Sequence, residues 1–329
     1  MTKRILVTGG GGFIGRELAR KLVLTGHDVV CFDLGEQFQR QEAFFVDLAR
    51  RGKITLEYGT ILDRTHLSHA TRGVDAVFHL AAMLGVKRTE DHRLRCMEIN
   101  VTGTDNLLAA CALNRVGHVI FASSSEVYGE PNRNPIHETD DTKGKTVYAV
   151  SKLAAEELVK GYNQSFPALD YTIVRFFNTY GEGQVAQFFI SRMVKQVLER
   201  KNPTVYGDGS QRRSFGHVDD ITDGLLAILR NPAARGRIYN LGNSDQVHSL
   251  SELAQKVIDV LAPDSGLRVE ISGGFDGTDR TADREIFTRY CDTSRAAAEL
   301  GFAPRITVED GIRRIAASGA IEADWAHRA

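Results

Sequence analysis

The first half of the chain alternates short apolar runs with amphipathic stretches. The apolar runs include ILVTG, DVVCFD, VDAVFHLAA and HVIFASSS, and helix-like segments such as GRELARKLVLTG and VTGTDNLLAACALN separate them. Short strands separated by helices indicate parallel pairing, because a crossover helix is the usual way to return the chain to the same edge of a sheet. The pattern therefore predicts an α/β fold with a Rossmann-type doubly wound parallel sheet.

The second half of the chain has a different character. A glycine-containing loop, a helix at QFFISRMVKQVLER, a strand-like PTVYG and the polar turn GDGSQRRSF follow one another. We expect residues 1–180 to form the sheet domain and residues 181–329 to form mainly a smaller C-terminal substrate-binding lobe. The apolar pattern of about 217–242 predicts that this stretch rejoins the first domain. Ser249 and Glu252 have the spacing of a capping box, which predicts that a helix begins there.

The charge of the chain excludes several classes of partner. Lys plus Arg number 41 against 42 Asp plus Glu, so no global field favours nucleic acid or an anionic membrane. No apolar stretch approaches the roughly 20 residues of a membrane span, and the run after the first basic residues is too short for a signal peptide. We expect a cytoplasmic protein. The cysteines lack zinc-site spacing, so we predict no metal site and four reduced, structural thiols: Cys31, Cys96, Cys111 and Cys291.

Three glycines lie between the first strand and the first helix of the pattern. Gly9, Gly12 and Gly15 occur in ILVTGGGGFIGRELARKL. Backbone amides at the start of such a helix can hold a pyrophosphate, and positions without side chains let a dinucleotide approach closely. A tight turn would also explain glycines, but the strand, loop and helix context favours nucleotide binding.

Asp33 at the end of the second strand indicates which dinucleotide binds. A carboxylate at this point accepts hydrogen bonds from the adenosine ribose hydroxyls and repels a 2′-phosphate, so NAD is predicted over NADP. The alternative is a surface Asp at a strand end, with Arg16 and Arg40 able to assist a phosphate.

Tyr148 and Lys152 stand four residues apart at the start of a predicted helix, so both side chains lie on one face. A free phenol has a pKa of about 10, and a base near neutral pH needs a pKa roughly three units lower. The Lys152 ammonium and a positive nicotinamide would lower it. Ser124, at the end of the strand HVIFASSS, can donate a second hydrogen bond to a reacting hydroxyl. Each feature occurs by chance elsewhere, and their order after a dinucleotide loop is what indicates catalysis.

These motifs resemble the extended short-chain dehydrogenase/reductase family, and within it the nucleotide-sugar epimerases and dehydratases, over nearly the whole chain. The matching segments are TGGGGFIG, Asp33, FHLAA at 78–82, NVTGT from Asn100, SSSEVYG at 123–129, YAVSK, RFFNTYG at 175–181 and GDGSQRRSFGHVDD at 207–220. The resemblance implies an NAD-dependent enzyme that oxidises a nucleotide sugar at C4 with bound, recycled NAD and then acts at C4 or C5. The implied substrate is a nucleoside-diphosphate sugar, with a UDP-sugar favoured.

The resemblance also implies roles for individual residues. Ser124, Tyr148 and Lys152 would act on the sugar, Asn178 would touch the substrate, and Arg213 would hold the pyrophosphate with two hydrogen bonds. Ser125 and Arg280 are further expected substrate contacts. The expected cofactor contacts are Gly9, Gly12, Phe13, Ile14, Gly15, Asp33, Asp63, Leu80, Ala81, Ala82, Asn100, Tyr148 and Lys152. Asp63 is included because Gly59-Thr60-Ile61 replaces the family's usual Gly-Asp-Ile/Leu.

Glu126 bears on the type of reaction. In the resemblance, Ser/Thr-x-Glu is typical of 4,6-dehydratases and UDP-glucuronate decarboxylases, where the Glu assists chemistry at C5, whereas simple 4-epimerases usually have a non-acid there. The alternative is that Glu126 only orders the turn. We expect an epimerase or dehydratase. A decarboxylase or a 4-keto-sugar reductase remains an enzymatic alternative, and a dinucleotide-sensing regulator a non-enzymatic one.

A homodimer is the last expectation from the sequence. Related proteins pair through two helices that correspond to VTGTDNLLAACALN and YAVSKLAAEELVKGY. Both segments carry apolar side chains on more than one face, as expected when one face packs on the sheet and another on a partner.

Overall fold

The structure is a computed structural model that describes residues 2–274, 285–319 and 321. Its strands are β1 (Arg4–Thr8), β2 (Asp28–Asp33), β3 (Ile54–Tyr58), β4 (Ala76–His79), β5 (His118–Ser124), β6 (Asp170–Phe176), β7 (Thr179–Tyr180), β8 (Thr204–Val205), β9 (Arg212–Ser214), β10 (Gly216–His217), β11 (Arg237–Leu241), β12 (Val247–Ser249), β13 (Glu270–Ile271) and β14 (Thr288–Arg289).

The α-helices of the same described residues are α1 (Phe13–Leu24), α2 (Gly35–Arg40), α3 (Glu42–Arg51), α4 (Arg64–Ala70), α5 (Val86–Asp91), α6 (Arg93–Met97), α7 (Gly103–Leu113), α8 (Val147–Ser165), α9 (Phe189–Leu198), α10 (Val218–Arg230), α11 (Leu250–Leu261), α12 (Ser294–Leu300) and α13 (Val308–Ser318). A π-helical turn at Glu98–Thr102 runs into α7, and short 3₁₀ turns occupy Ser125–Tyr128 and Pro232–Ala234.

The central sheet confirms the predicted Rossmann-type fold. Its strand order is β11-β6-β5-β4-β1-β2-β3, and every pair is parallel. The order reverses at β1, which pairs with β2 on one side and β4 on the other. In open α/β sheets the crevice at the carboxyl ends of the strands, where the order reverses, is where ligands bind.

Both faces of this sheet are buried. Ile5 and Val7 of β1 face an apolar cluster that includes Leu22 of α1. Leu6 points to the opposite face, where it joins a cluster that includes Leu107 of α7. Because successive side chains of a strand alternate between faces and both faces are covered, the strands are apolar along nearly their whole length. This explains why the apolar runs predicted the sheet.

A third apolar cluster lies in the C-terminal part of the chain, with Met193 of α9, Leu253 of α11 and Ile312 of α13 among its members. Besides the seven-stranded sheet, the described residues form two two-stranded sheets, β10-β7 and β13-β8, and a three-stranded sheet with the order β12-β9-β14. The predicted capping box is confirmed at α11, where Ser249 and Glu252 exchange their side-chain and backbone hydrogen bonds. Within 217–242 the chain forms α10 and then β11, the edge strand beside β6.

The four cysteines are buried and free of disulfides, as predicted. In the part of the chain that the structure describes, no helix has the length and apolar character needed to cross a membrane. The same residues contain no group of three or more His, Cys, Asp or Glu that could hold a metal ion.

Candidate active site

The glycine loop lies at the carboxyl end of β1, where the strand order reverses. Gly9 has a φ of +72°, and a Cβ on it would come within 2.8 Å of the Ala81 amide nitrogen. A Cβ on Gly15 would overlap the Gly9 carbonyl oxygen, so α1 packs directly on the loop. Gly12 caps α1 without a side-chain hydrogen bond, and the first turn, which begins Phe13-Ile14, contains no acidic residue. An open helix N-terminus with close backbone packing fits a dinucleotide pyrophosphate.

Asp33 lies beside this loop at the end of β2. Its carboxylate accepts hydrogen bonds from the amides of Gly11 at 3.0 Å and Leu34 at 2.8 Å. Burial raises the pKa of Asp33 to about 6, and these backbone hydrogen bonds oppose the rise. At neutral pH the side chain is therefore mainly an ionised acceptor, which fits ribose hydroxyl groups. Arg16 donates to the Gly183 carbonyl at 3.0 Å, and Arg40 lies 3.6 Å from Glu36.

Asn100 connects the loop after β4 to the catalytic helix. Its amide nitrogen donates to the Met83 carbonyl at 3.0 Å and to the Ser151 hydroxyl at 2.9 Å, and its oxygen accepts from the Met83 amide at 2.7 Å. These bonds fix the loop that carries Leu80-Ala81-Ala82. Asp63 is exposed at the start of α4, where it accepts from the His66 amide at 3.0 Å. The cofactor contacts expected for Asn100, Leu80-Ala81-Ala82 and Asp63 stay predictions.

The structure brings Ser124, Tyr148 and Lys152 together. Ser124 ends β5, and its hydroxyl hydrogen-bonds to Tyr148, the second residue of α8. The Lys152 ammonium donates to the Ala122 carbonyl at 2.8 Å and lies 5.8 Å from the centre of the Tyr148 ring. Thr146 starts α8 by accepting a hydrogen bond from the Ala149 amide, and this cap fixes where Tyr148 emerges.

Burial dominates the protonation of this cluster. Burial raises the pKa of Tyr148, the Glu126 charge raises it further, and the Ser124 hydrogen bond and the Arg289 charge lower it. Burial also lowers the pKa of Lys152 to about 8, against the opposing effects of Cys96 and Glu156. Lys152 is thus still mostly protonated at pH 7, and a protonated amine beside a phenol favours the phenolate.

Glu126 lies in the 3₁₀ turn immediately after β5, next to the buried Ser125. Its carboxylate accepts a hydrogen bond from the Thr146 hydroxyl at 3.3 Å, and its charge acts on Tyr148. The side chain therefore both connects the turn to α8 and lies near the phenol. Both interpretations of this residue, acid/base and turn-ordering, are compatible with that position.

Asn178 contacts β9 at Ser214, the residue that follows Arg213. Asn178 has a φ of +27° and donates to the Ser214 carbonyl at 2.8 Å. The buried Arg213 guanidinium pairs with Glu285 at 2.7 Å and also donates to the Phe287 carbonyl at 2.9 Å. The guanidinium thus has a carboxylate partner within the protein. Arg280, the remaining predicted substrate contact, lies outside the described residues.

Sequence reasoning missed a buried network behind the cluster. Glu156 accepts from the Ser123 hydroxyl at 2.5 Å and pairs with Arg175 at 2.7 Å, and the Arg175 guanidinium lies 4.8 Å from the centre of the Tyr128 ring. The network joins the strand residue before Ser124 to the helical turn after Lys152. Its signal in the sequence was the spacing of four between Lys152 and Glu156, which puts both on one helical face.

Comparison with known proteins agrees with this geometry. Residues 5–242 match the NAD dependent epimerase/dehydratase family. The chain is 35% identical to the UDP-N-acetyl-alpha-D-glucosaminuronate decarboxylase of Bacillus cytotoxicus, with 95% of this chain and 96% of that protein covered. It is 32% identical to a putative UDP-glucose 4-epimerase of Methanocaldococcus jannaschii, with 94% and 96% covered.

Solved structures give the same result. The UDP-glucuronic acid 4-epimerase from Bacillus cereus, in complex with UDP-glucuronic acid and NAD, superposes with a TM-score of 0.85 at 27% identity, and 96% of this chain and 98% of that chain are covered. The predicted family, enzyme class and cofactor are thereby confirmed. The chain belongs to the NAD-dependent epimerase/dehydratase family of extended short-chain dehydrogenases/reductases, and its cofactor is NAD.

Proposed function

We propose that this protein oxidises the C4 hydroxyl of a UDP-sugar and then acts on the resulting ketone at C4 or C5. The observation that carries the proposal is that Ser124, Tyr148 and Lys152 come together at the carboxyl end of β5, at the same edge of the parallel sheet as the glycine loop after β1. Relatives named for UDP-sugar chemistry support the choice of nucleotide.

The chain's own residues would divide the work as follows. The glycine loop and Asp33 would hold NAD, and the bound nicotinamide would supply the hydride-accepting and hydride-donating chemistry of the cycle. Tyr148 takes the proton from the C4 hydroxyl, and Ser124 donates a hydrogen bond to the same oxygen. The Lys152 ammonium favours the phenolate form of Tyr148. A positioned acid/base of this kind contributes typically 10²–10⁴-fold to the rate.

Glu126 would take part in the second step. A ketone at C4 acidifies the C5–H bond, and an acid or base beside Tyr148 can then move a proton at C5 or at its substituent. The connection of Glu126 to α8 through Thr146 and its electrostatic effect on Tyr148 support this role. Asn178 and Arg213 are proposed to contact the sugar and the pyrophosphate, and Ser125 lies in the same turn as Glu126.

The smaller lobe is proposed to shape the substrate site. Residues 1–180, rejoined by about 217–242, would hold the cofactor, and the rest of 181–329 would hold the sugar nucleotide. The hydrogen bond from Asn178 to Ser214 supports this division, because it joins the end of the main sheet to the lobe. A cytoplasmic location stays a prediction from the sequence.

Product analysis tests the function. The purified protein is incubated with UDP-, GDP-, dTDP- and CDP-sugars, and the products are identified by mass spectrometry and NMR. Loss of water indicates dehydration, loss of CO₂ indicates decarboxylation, and an unchanged mass with a new C4 configuration indicates epimerisation. Tyr148→Phe is the inactive control. Stoichiometric release of NADH would contradict a recycled cofactor, and failure to bind or convert any of the sugars would refute the proposal.

We also propose that the protein is a homodimer. A groove between α7 and α8 is lined mostly by small and apolar side chains, including Ala109, Ala154 and Leu158. Leu113 at its rim is 72% exposed, and Phe166 is also exposed. A second copy of the same helices related by a two-fold axis would cover this surface, because a two-fold interface buries the same patch on both subunits.

A further inference from the structure

The turn 181–184, which follows β7, is attached to α1, the helix that begins at the glycine loop. The Arg16 amide donates to the Gly12 carbonyl at 3.0 Å, so Arg16 lies one helical turn beyond that loop. Its buried guanidinium donates to the Gly183 carbonyl at 3.0 Å. Gly183 has a φ of +78°, and a Cβ on it would come within 2.5 Å of the Arg16 Nη2 nitrogen. The close contact between the turn and α1 therefore depends on glycine at this position.

The same turn is attached to α10 through the residue before Gly183. The Glu182 carboxylate lies 3.0 Å from Nε2 of His217, whose side chain is only 1% exposed. His217 caps α10, because its Nδ1 accepts a hydrogen bond from the Asp219 amide at 3.2 Å. The proton of the neutral ring is then on Nε2, the nitrogen that faces Glu182. Asp219 also lies 2.7 Å from the Lys21 ammonium of α1, so the turn, α10 and α1 are joined in a closed ring of contacts.

Hydrogen bonds within and beside the turn make it a unit. The Gln184 amide donates to the Gly181 carbonyl at 3.3 Å, and the Gln184 side chain donates to the Thr179 carbonyl at 2.8 Å. The side-chain oxygen of Gln184 accepts from the Ser191 hydroxyl of α9 at 3.1 Å, and both side chains are buried. Because the turn is braced in this way, we expect it to move as a whole when its contacts with α1 and α10 are lost.

The start of α1 can bind a dinucleotide pyrophosphate, because the first amides of a helix have no partner within it. A pyrophosphate held there lies about one helical turn from Arg16 and from the turn that Arg16 contacts. We propose that Arg16 and Glu182 are positioning residues that hold the turn 181–184 over bound NAD and so slow its release. The inference rests on the proposed function, because it places NAD at the glycine loop. A cofactor that is re-used within one cycle has to stay bound until the hydride returns to the sugar.

The rate of NAD release tests this inference without relying on turnover. The protein is loaded with radiolabelled NAD, an excess of unlabelled NAD is added, and the label that stays bound is followed over time. Arg16→Met removes the guanidinium and is expected to release NAD about 10- to 100-fold faster, the usual effect of losing a hydrogen bond from a charged group. Arg20→Met is the matched control, because Arg20 lies one turn further along α1, donates to Glu17 at 2.9 Å and is 39% exposed. Its rate should stay within about twofold of the parent protein.

Glu182→Gln distinguishes a role through the turn from a direct contact with NAD. This variant keeps Arg16 but weakens the link to His217, so NAD release should again be faster, by about threefold to tenfold. The double variant Arg16→Met with Glu182→Gln should release NAD within about twofold of Arg16→Met alone, because both changes free the same turn. The affinity of NAD-saturated protein for UDP, measured by calorimetry, should change less than about threefold in every variant.

Other outcomes overturn the inference. Faster release in Arg16→Met with unchanged release in Glu182→Gln would assign Arg16 to the pyrophosphate itself, and effects that multiply in the double variant would mean that the two residues act separately. An equal loss of NAD and UDP affinity would show general damage to the fold. If Arg16→Met does not fold, Arg16→Lys replaces it, since it keeps the charge but loses the guanidinium geometry. Faster NAD release in Arg16→Lys supports the inference, and unchanged release refutes it. A parent protein that binds no NAD would instead refute the proposed site at the glycine loop.

Discussion

Glu156→Gln should destabilise the protein far more than a change of one atom suggests. The carboxylate accepts hydrogen bonds from Ser123 and from two nitrogens of Arg175, at 2.5, 3.0 and 2.7 Å. The side chains of Glu156 and Arg175 are only 1% and 4% exposed, so water cannot replace a lost partner. The new amide would remove the negative charge and place an N–H group against the donors. Arg175 would then be a buried cation without compensation.

The size of the effect follows from this burial. Removing one partner of a buried ion pair costs about 3–5 kcal/mol, a large part of the roughly 5–15 kcal/mol by which proteins are stable. For a chain of this size the melting temperature should fall by about 5–15 °C. Glu199→Gln is the matched control, because Glu199 pairs with Lys201 at 2.7 Å on the surface. Exposed ion pairs contribute little to stability because water screens them, so this variant should melt within roughly 3 °C of the parent protein.

Thermal and denaturant unfolding of both variants measure the difference. The double variant Glu156→Gln with Arg175→Met should recover part of the loss, since it also removes the uncompensated cation. Equal stability of Glu156→Gln and Glu199→Gln would refute the reasoning, because it would mean that the buried charge is neutralised in another way. A double variant less stable than either single one would refute the pairing of Glu156 with Arg175 as the cause.

Three further predictions concern the site and the assembly. Lowering the pH from about 7.5 to 5 should weaken NAD binding about tenfold in calorimetry. The reason is that burial raises the pKa of Asp33 to about 6, so only about a tenth of the Asp33 carboxylates stay ionised at pH 5. Asp33→Asn should abolish this pH dependence. Glu126→Gln should leave NAD binding intact but slow product formation roughly 10²–10⁴-fold, whereas Tyr148→Phe should block the first oxidation in single-turnover absorbance. Near-normal turnover would show that Glu126 only orders the turn. Leu113→Asp should convert the proposed dimer to a monomer in light scattering; a monomeric parent protein would refute the dimer, and a variant that stays dimeric would place the interface elsewhere.

The sheet could be predicted from the sequence because its cause is local. Each central strand is covered on both faces, so its apolar run is visible without knowledge of the neighbours. The same holds for the capping box of Ser249 and Glu252, whose hydrogen bonds lie within four residues. By contrast β14 has two residues and forms only because β9 pairs with it, so no local pattern marked this strand.

The candidate site was predictable to a different degree at each residue. Tyr148 and Lys152 share a helical face through their spacing, and the position of Ser124 at a strand end put it beside them. A sequence motif does not show whether one of its side chains binds a ligand or holds a loop. Asn100 illustrates this, since its amide group hydrogen-bonds to Met83 and Ser151 within the protein.

Burial shifts the pKa values of Tyr148 and Lys152 in opposite directions. Burial raises the pKa of the Tyr148 phenol, which favours its protonated form. It also lowers the pKa of Lys152 to about 8, so that the ammonium begins to lose its proton just above neutral pH. Glu156 opposes the second effect, because its negative charge one turn away raises the pKa of Lys152. Arg175 forms an ion pair with Glu156, which stabilises the buried carboxylate and limits how far its charge raises the pKa of Lys152. The network behind the helix therefore both stabilises the fold and helps to keep Lys152 charged, and only a charged Lys152 favours the phenolate that a C4 oxidation needs.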